Sequence, residues 1–152
     1  LRQKDSNCNV ILKKTDLDLS DVNAIKINPE EGQNIVSGSH DEMMLALQKK
    51  GIEYVLLTNK VDVSLLVKNR VYSLKLPNKT VHDTTGIGDI FCSAFTCTML
   101  KEKDFLWALC FAAGSAQAAL ESNNVGLQKI PKKGMVENNA SYFYNLVDFR
   151  DL

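Results

Sequence analysis

Short apolar runs alternate with amphipathic segments along this chain, and their spacing predicts strands and helices in turn. The run Tyr54–Thr58 (YVLLT) is unbroken, which is typical of a strand covered on both faces. The segment Val22–Ile27 (VNAIKI) alternates and runs into Asn28-Pro29, so it is predicted to be a strand that ends in a turn. Further strands are predicted at Cys8–Lys13, Val63–Val67 and Val71–Leu76.

Capping signals mark the helices between these strands. Ser39 and Glu42 have the spacing of a capping box, which predicts a helix over Asp41–Lys50. The most apolar segment, Phe105–Leu120, follows a potential cap at Asp104 and is too short to span a bilayer, so it is predicted to be a buried helix. Because strands and helices interleave, the fold class is predicted to be α/β with at least part of the sheet parallel. Other helices are predicted at Glu30–Val36, directly after Gly88, and at about Lys133–Leu146.

The composition is that of an ordinary globular domain. The chain has 152 residues, of which 45% are hydrophobic and 24% are charged, and this excludes a disordered tail, a collagen and a coiled coil. Its 18 basic and 18 acidic residues give a net charge of zero, so the chain has no overall basic character for binding nucleic acid or anionic lipid. We therefore expect no nucleic-acid partner and no membrane partner.

The cysteines and histidines form no recognisable metal or disulfide pattern. The four cysteines include no CxxC pair and there are only two histidines, which argues against a zinc site and against a disulfide scaffold. Three of the cysteines lie in apolar stretches, so we expect buried free thiols in a reducing compartment. Since no signal peptide is visible, we expect a cytoplasmic protein. The residues concerned are Cys8, Cys92, Cys97, Cys110, His40 and His82.

The segment Asp83–Asp89 (DTTGIGD) is the most informative part of the chain. Gly86 and Gly88 bracket one residue just before a predicted helix, and glycine lets backbone N–H groups approach a ligand closely. A helix start carries unpaired N–H groups and the positive end of the helix dipole, which together favour an anion such as phosphate. Asp89 adds a carboxylate in the first turn; without a ligand it would only complement the dipole.

This segment and its continuation, DTTGIGDIF, resemble a signature of the PfkB-type, ribokinase-like carbohydrate kinases, whose usual form is Asp-Thr-Thr-Gly-Ala-Gly-Asp-Ala-Phe. The segment Ile25–Glu31 (IKINPEE) resembles the strand and Asn-x-x-Glu motif of the same family. The resemblance implies a ribokinase-like three-layer fold with a mostly parallel, Rossmann-like central sheet. It further implies that residues 1–152 are the C-terminal, nucleotide-binding and phosphoryl-transfer part of such a domain, without the N-terminal sugar-binding half and lid.

By this resemblance, Asp89 is the general base that accepts the proton of an acceptor hydroxyl, and Gly86, Ile87 and Gly88 form an anion hole. Asn28 and Glu31 are implied to organise magnesium indirectly, through water, although Glu31 alone reads as a solvated helix residue. ATP and Mg²⁺ are the implied cofactors. Residues implied to lie at the nucleotide are Thr58, Lys60, Thr85 and Gly126.

The chain departs from the family pattern in the loop after Tyr54–Thr58. The family usually has Thr-x-Gly-x-x-Gly there, whereas this chain has Lys60 and Val63 in place of the two glycines. The departure puts the nucleotide preference in question, and Lys60 either reaches a phosphate or is a surface lysine. The Ala-rich helix also has Ala113 where many members have Asn.

These features predict ATP-dependent phosphorylation of a hydroxyl on a sugar or a sugar-like alcohol. Two alternatives stay open: a non-catalytic nucleotide-binding or regulatory module on the same scaffold, and a vitamin or nucleoside kinase of the same superfamily. The expected partners are a small sugar and ATP. A half domain leaves a sheet edge unpaired, so we also expect the chain to self-associate or to pair with an N-terminal half.

Overall fold

The computed structural model describes residues 19–77, 84–122 and 124–152. These residues divide into two compact units, one formed by residues 19–73 with 148–152 and the other by the described residues between 74 and 147. The predicted strand at Cys8–Lys13 lies outside the described residues, as do Cys8, His82 and Asp83.

The first unit is built on a five-stranded sheet with the order β1-β2-β3-β4-β5. Strands β1 and β2 are parallel, whereas β2 and β3 are antiparallel, as are β4 and β5. The strands are β1 (Ala24–Ile27), β2 (Tyr54–Thr58), β3 (Asp62–Val67), β4 (Arg70–Lys75) and β5 (Asp148–Asp151).

Over the described strands the sheet is therefore mixed rather than mostly parallel. The reason is the length of the connections. Strands β2 and β3 are joined by only Asn59–Val61, and β3 and β4 by Lys68 and Asn69, which both have positive φ angles. Such short links can only turn the chain back on itself, because a parallel crossover needs a dozen or more residues. The α/β class itself is confirmed.

Two helices accompany the sheet in the first unit, α1 (Pro29–Gln33) and α2 (His40–Lys49). The predicted capping box of α2 is present: Ser39 accepts from the backbone N–H of Glu42, and the Glu42 carboxylate accepts from the N–H of Ser39 at 2.7 Å. The apolar face of α2 packs into a buried cluster with alternate residues of the strands. That cluster includes Ile25, Ile27, Met43, Leu47, Val55 and Leu57.

The interior strand β2 is buried on both faces, as its unbroken apolar sequence predicts. Val55, Leu56 and Leu57 are all buried, although successive side chains of a strand point to opposite sides. Only Val55 and Leu57 belong to the α2 cluster. A strand covered on both faces is what a three-layer fold requires.

The second unit is helical: α3 (Ile87–Glu102), α4 (Phe105–Leu120) and α5 (Lys133–Tyr144), with a 3₁₀ turn, η1 (Gly126–Lys129), before α5. The predicted cap of α4 is confirmed, since the Asp104 carboxylate accepts from the backbone N–H groups of Leu106 and Trp107. Most of α4 is buried, as its uniform apolarity predicts. Within the described ranges, no helix is both long enough and apolar enough to cross a membrane.

Candidate functional site

The glycine motif forms the start of helix α3, as predicted. Gly86 is the N-cap residue, with φ 78° and ψ −3°, a left-handed conformation that glycine adopts without strain. A Cβ at this position would meet nothing within 4 Å, so the backbone conformation rather than the space requires glycine. Side chains cap α1, α2 and α4, whereas α3 begins at a glycine and shows no side-chain cap among the described residues. Such a helix start favours an anion, because its first N–H groups lack intrahelical acceptors.

The three carbonyl groups that lead into α3 each accept a hydrogen bond. The Thr84 oxygen accepts from the first N–H of α3 at 3.3 Å, and the Gly86 oxygen accepts from the N–H four residues later at 2.9 Å. The Thr85 oxygen lies between them and accepts from the side chain of Lys129, with 3.4 Å from Nζ to the oxygen. Three successive peptide oxygens, those of Thr84, Thr85 and Gly86, are thus hydrogen-bonded, and these bonds restrain the backbone at the start of α3.

Asp89 is the third residue of α3 and lies in its first turn. Its side chain is exposed, as are Thr85 and Gly86, whereas Ile87 and Gly88 are half-buried. The geometry gives an accessible carboxylate directly beside the N-terminal end of a helix. This arrangement is suited to holding an anion and accepting a proton next to it.

Gly126 and Lys129 begin and end the 3₁₀ turn η1. Gly126 is exposed and has φ 60°, again the left-handed region that favours glycine. Lys129 is the buried residue of this turn, only 3% exposed, and its contact with Thr85 connects the turn to the start of α3. Sequence reasoning missed Lys129, because nothing in the local sequence distinguishes it from the nearby lysines Lys132 and Lys133.

Asn28 and Glu31 form a reciprocal cap at the start of α1 in the first unit. The Asn28 side-chain oxygen accepts from the N–H of Glu31 at 2.8 Å, and Glu31 Oε2 accepts from the N–H of Asn28 at 2.9 Å. Lys26 lies 3.7 Å from the same Oε2 atom, and both side chains of this ion pair are largely buried. The Glu31 carboxylate is therefore restrained by these contacts rather than freely solvated.

Thr58 lies beside the end of β1. Its hydroxyl donates to the backbone oxygen of Ile27 at 3.4 Å, and Ile27 pairs with Leu57 in the parallel ladder. Thr58 is the last residue of β2 and Asn28 directly follows β1, so both lie at the carboxyl ends of neighbouring parallel strands, the edge at which α/β sheets usually bind ligands.

The loop after Thr58 is a closed turn. The Asn59 side-chain oxygen accepts from the backbone N–H groups of Val61 and Asp62, and its Nδ2 donates to the Asp62 carboxylate. Lys60 is exposed at this turn. Val63, which replaces the second glycine, is not in the loop at all: it is buried in β3 and pairs with Thr58.

The donor set fits magnesium only in an indirect role. Within the described residues, no group of three or more His, Cys, Asp or Glu side chains could hold a metal ion. Magnesium in phosphoryl-transfer sites is commonly bound by one or two carboxylates together with substrate phosphates and water. Glu31 supplies one such carboxylate, and its contacts with Lys26 and Asn28 use Oε2.

Solved structures similar to this chain share one fold. Ribokinase from Thermotoga maritima matches with a TM-score of 0.69 at 19% identity, over 78% of this chain and 42% of the other. Ribokinase from Arabidopsis thaliana, complexed with ribose and ATP, matches with a TM-score of 0.75 at 20% identity, over 87% and 46%. A pyrophosphate-dependent kinase in the ribokinase family, complexed with a pyrophosphate analog and myo-inositol, matches with a TM-score of 0.65 at 18% identity, over 79% and 42%.

The chain therefore has the ribokinase fold and spans less than half the length of each of these three proteins. A comparison with curated protein sequences finds no match. The profile of the pfkB family of carbohydrate kinases matches residues 4–133, which is most of the chain and includes the glycine motif. On this match, the chain belongs to the pfkB carbohydrate kinase family.

Proposed function

We propose that this chain carries the phosphoryl-transfer and nucleotide-binding part of an ATP-dependent kinase for the hydroxyl group of a sugar or a sugar-like alcohol. The observation that carries the proposal is the start of α3. The helix begins at a left-handed glycine, which has no side chain to cap it, and has an exposed carboxylate, Asp89, in its first turn. Family membership adds the reaction class, a kinase acting on carbohydrates.

Asp89 is the general base of the proposed reaction. As the acceptor oxygen attacks the γ-phosphorus of ATP, the hydroxyl proton passes to the Asp89 carboxylate, and the bond from the γ-phosphorus to the β,γ-bridging oxygen breaks to release ADP. A carboxylate is a weak base, but this suffices when the transition state is loose and proton removal is late. A positioned base of this kind contributes about 10²–10⁴-fold to the rate.

The backbone from Gly86 to Gly88 forms the anion hole. Negative charge on the phosphoryl oxygens faces the N–H groups at the start of α3, which are fixed before the donor arrives. Gly86 allows this approach because it has no side chain and a positive φ angle. Thr85 belongs to the same segment and is proposed to contact the donor phosphates.

Asn28 and Glu31 are proposed to hold magnesium through water. When bound, magnesium would neutralise charge on the donor phosphates, which otherwise repels an attacking oxygen. The reciprocal bonds between Asn28 and Glu31, together with the nearby ammonium of Lys26, keep the Glu31 carboxylate in one position. The proposed role of Asn28 and Lys26 is to fix the position of the Glu31 carboxylate, which would bind a water of the hydrated ion.

Thr58, Lys60 and Gly126 are proposed to contact the nucleotide. Gly126 opens a turn whose apolar residues are exposed: Val125 is 70% exposed and Leu127 is 86% exposed. Exposed apolar side chains beside a glycine in the left-handed region offer a suitable surface for the flat face of a base.

A second candidate donor is pyrophosphate. The observation that favours it is the closed turn after Thr58, in which the Asn59 side-chain oxygen occupies the backbone N–H groups of Val61 and Asp62. This turn replaces the glycine loop that lies against the nucleotide in the family pattern. A pyrophosphate donor needs the anion hole but no base-binding surface, and one of the structural neighbours is a pyrophosphate-dependent kinase.

The test is a transfer assay with the complete gene product that contains these residues. ATP, GTP and pyrophosphate are each supplied with magnesium and a panel of pentoses, hexoses and cyclitols, and phosphorylated product is detected by ³¹P NMR. We expect transfer to one acceptor class. The 152-residue chain assayed alone is expected to bind the donor without sugar-dependent turnover, because it spans less than half of its structural neighbours.

Two results would contradict the proposal. Donor binding by the complete gene product without transfer to any acceptor would favour a non-catalytic nucleotide-binding or regulatory module. Absence of both donor binding and phosphoryl transfer would also contradict the proposed anion hole. Transfer to a vitamin or a nucleoside instead of a sugar would keep the mechanism and change the substrate class.

A further inference from the structure

Lys129 is a buried cation directly behind the start of α3. The residue is 3% exposed, and its Nζ atom lies 3.4 Å from the backbone oxygen of Thr85. The two residues are separated by 44 positions in the sequence, so the contact is made by the tertiary fold of the second unit. Burying a charged side chain is unfavourable in free energy unless the charge is paired or hydrogen-bonded. The burial of Lys129 therefore needs a structural reason.

The turn that carries Lys129 has an inverted burial pattern. Its lysine is inside, whereas its apolar neighbours Val125, Leu127 and Ile130 are 70%, 86% and 60% exposed. Simple partitioning between water and the protein interior would give the opposite arrangement. The inward position of Lys129 therefore reflects polar contacts, among them the hydrogen bond to the Thr85 carbonyl, rather than general hydrophobic packing.

The Thr85–Gly86 peptide is the one at the start of α3 that helical hydrogen bonding does not hold. The Gly86 oxygen accepts from the α3 backbone, and the Thr84 oxygen accepts from the first N–H of the helix. The Thr85 oxygen accepts from Lys129 instead. Because Gly86 has unusually free backbone torsions, a hydrogen bond to this peptide restricts its rotation.

Fixing the Thr85 oxygen also fixes the Gly86 N–H. In a trans peptide the C=O and the N–H point in opposite directions. A carbonyl drawn towards the buried ammonium therefore directs the Gly86 N–H away from Lys129. Gly86 itself is exposed, and open space surrounds its Cα on the side where a Cβ would stand.

We propose that Lys129 is a positioning residue of the anion hole: its ammonium holds the Thr85–Gly86 peptide so that the Gly86 N–H faces the transferring phosphoryl group. The inference rests on the proposed function and deepens it, because it adds Gly86 N–H as an oriented donor and Lys129 as its support. Lys129 does not touch the donor and takes no part in proton transfer.

The test compares three variants of the 152-residue chain with the unmodified chain. Lys129→Met removes the charge and keeps an unbranched side chain of similar length, whereas Lys129→Arg keeps the charge. Lys132→Met is the matched control, because Lys132 is an exposed lysine of the same segment. Each protein is titrated with pyrophosphate while the amide signals of Gly86, Gly88 and Asp89 are followed by ¹⁵N–¹H NMR.

We expect Lys129→Met to shift the Gly86 amide before any ligand is added and to weaken pyrophosphate binding by about tenfold, since a misplaced donor loses most of its effect. Lys129→Arg should retain most of the binding, and Lys132→Met should match the unmodified chain. In the complete gene product, Lys129→Met should lower kcat for phosphoryl transfer by about tenfold while the KM for the acceptor stays unchanged.

The outcomes separate this inference from the proposed function. Unchanged binding and an unchanged Gly86 signal in Lys129→Met would overturn the role of Lys129 and leave the anion hole standing. If Lys129→Met does not fold, the titration of the unmodified chain tests the inference. Pyrophosphate must then shift the amide signal of Gly86, and shifts of the Gly88 and Asp89 signals alone would overturn the inference. No response at any of the three amides would overturn the proposed function and this inference with it.

Discussion

Asn139 on α5 donates a hydrogen bond from its side-chain amide to the backbone oxygen of Gly114 on α4, at 3.3 Å. The bond is possible because the two helices approach closely at the glycine. A Cβ on Gly114 would lie 2.9 Å from the Val136 oxygen and 3.0 Å from the Ala140 nitrogen, both backbone atoms of α5. Gly114 is thus a packing glycine, in contrast to Gly86, where open space surrounds the missing Cβ.

Replacing Gly114 with alanine should destabilise the protein by about 1–3 kcal/mol, because backbone atoms cannot move aside as a flexible side chain can. The matched control is Gly134→Ala in α5, where a Cβ would meet nothing within 4 Å. That substitution should stabilise the protein by about 0.4–1 kcal/mol by restricting the unfolded chain. Urea unfolding of both variants measures the difference, and equal midpoints would contradict the close approach of α4 and α5.

Asp89→Asn should lower kcat for phosphoryl transfer in the complete gene product by at least about 10²-fold, with little change in donor affinity. Asparagine keeps the shape of the side chain but cannot accept the proton. Asp104→Asn is the control, because asparagine caps a helix about as well as aspartate and α4 should be unaffected. If Asp89→Asn retains activity within a few-fold of the unmodified enzyme, Asp89 only complements the dipole of α3.

Cys97 should react rapidly with a thiol reagent in the folded protein, whereas Cys110 should react only on unfolding. Cys97 is exposed, and Cys92 and Cys110 are buried, so the expectation of buried thiols is wrong for Cys97. Burial, assisted by the charge of Asp104, raises the pKa of Cys110 from 9.0 to about 12. Mass spectrometry of the labelled peptides reads each site, and early labelling of Cys110 would contradict its burial.

The same pKa shift predicts a loss of stability at alkaline pH. The folded protein holds the Cys110 proton more tightly than the unfolded chain does. The contribution of this proton to the free energy of unfolding is therefore complete below pH 9.0, the pKa of the thiol in the unfolded chain. It should decline as the pH rises from there towards about 12. Cys110→Ala should show a flatter decline in the unfolding midpoint over this range, and an identical decline in both proteins would contradict the shift.

Strand β5 should detach first as the pH falls. Its Asp151 accepts from Arg70 at 2.6 Å, and this hydrogen bond lowers the pKa of Asp151 below its ordinary 3.8. The stabilisation is therefore present above the pKa that Asp151 has in the unfolded chain, and it is lost as the pH falls through the lower pKa of the folded protein. Hydrogen exchange at β5 amides should accelerate there, and more readily in high salt, while exchange in the β2–β3 ladder is unchanged. Asp151→Asn should remove the pH dependence.

Several local features follow from the sequence because they depend on neighbouring residues. The caps at Ser39 and Asp104 involve residues two or three positions apart, and the glycine motif specifies its own backbone conformation. The bounds of β2 also agree with the prediction, since a strand buried on both faces must be apolar throughout. The family, and with it the ribokinase fold, is evident from the motif Asp83–Asp89.

Other features depend on partners that are distant in the sequence. Strand β5 (DFRD) has no apolar alternation, because all four residues are exposed and the strand is held by pairing with β4 and by the ion pairs of Arg70 with Asp151 and of Arg150 with Asp41. Cys97 lies in an apolar stretch, but two residues beyond the buried Phe95 the helix has turned by about 200°, to the opposite face.

The sequence by itself determined the family, the α/β class, the helix caps and the glycine start of α3, because each rests on residues close together in the chain. Only the tertiary structure decided the mixed order of the sheet, the close approach of α5 to Gly114 and the burial of Lys129 against Thr85. These depend on which distant segments meet. Lys129 becomes an internal support only because folding buries it and brings the Thr85 carbonyl within reach of its ammonium.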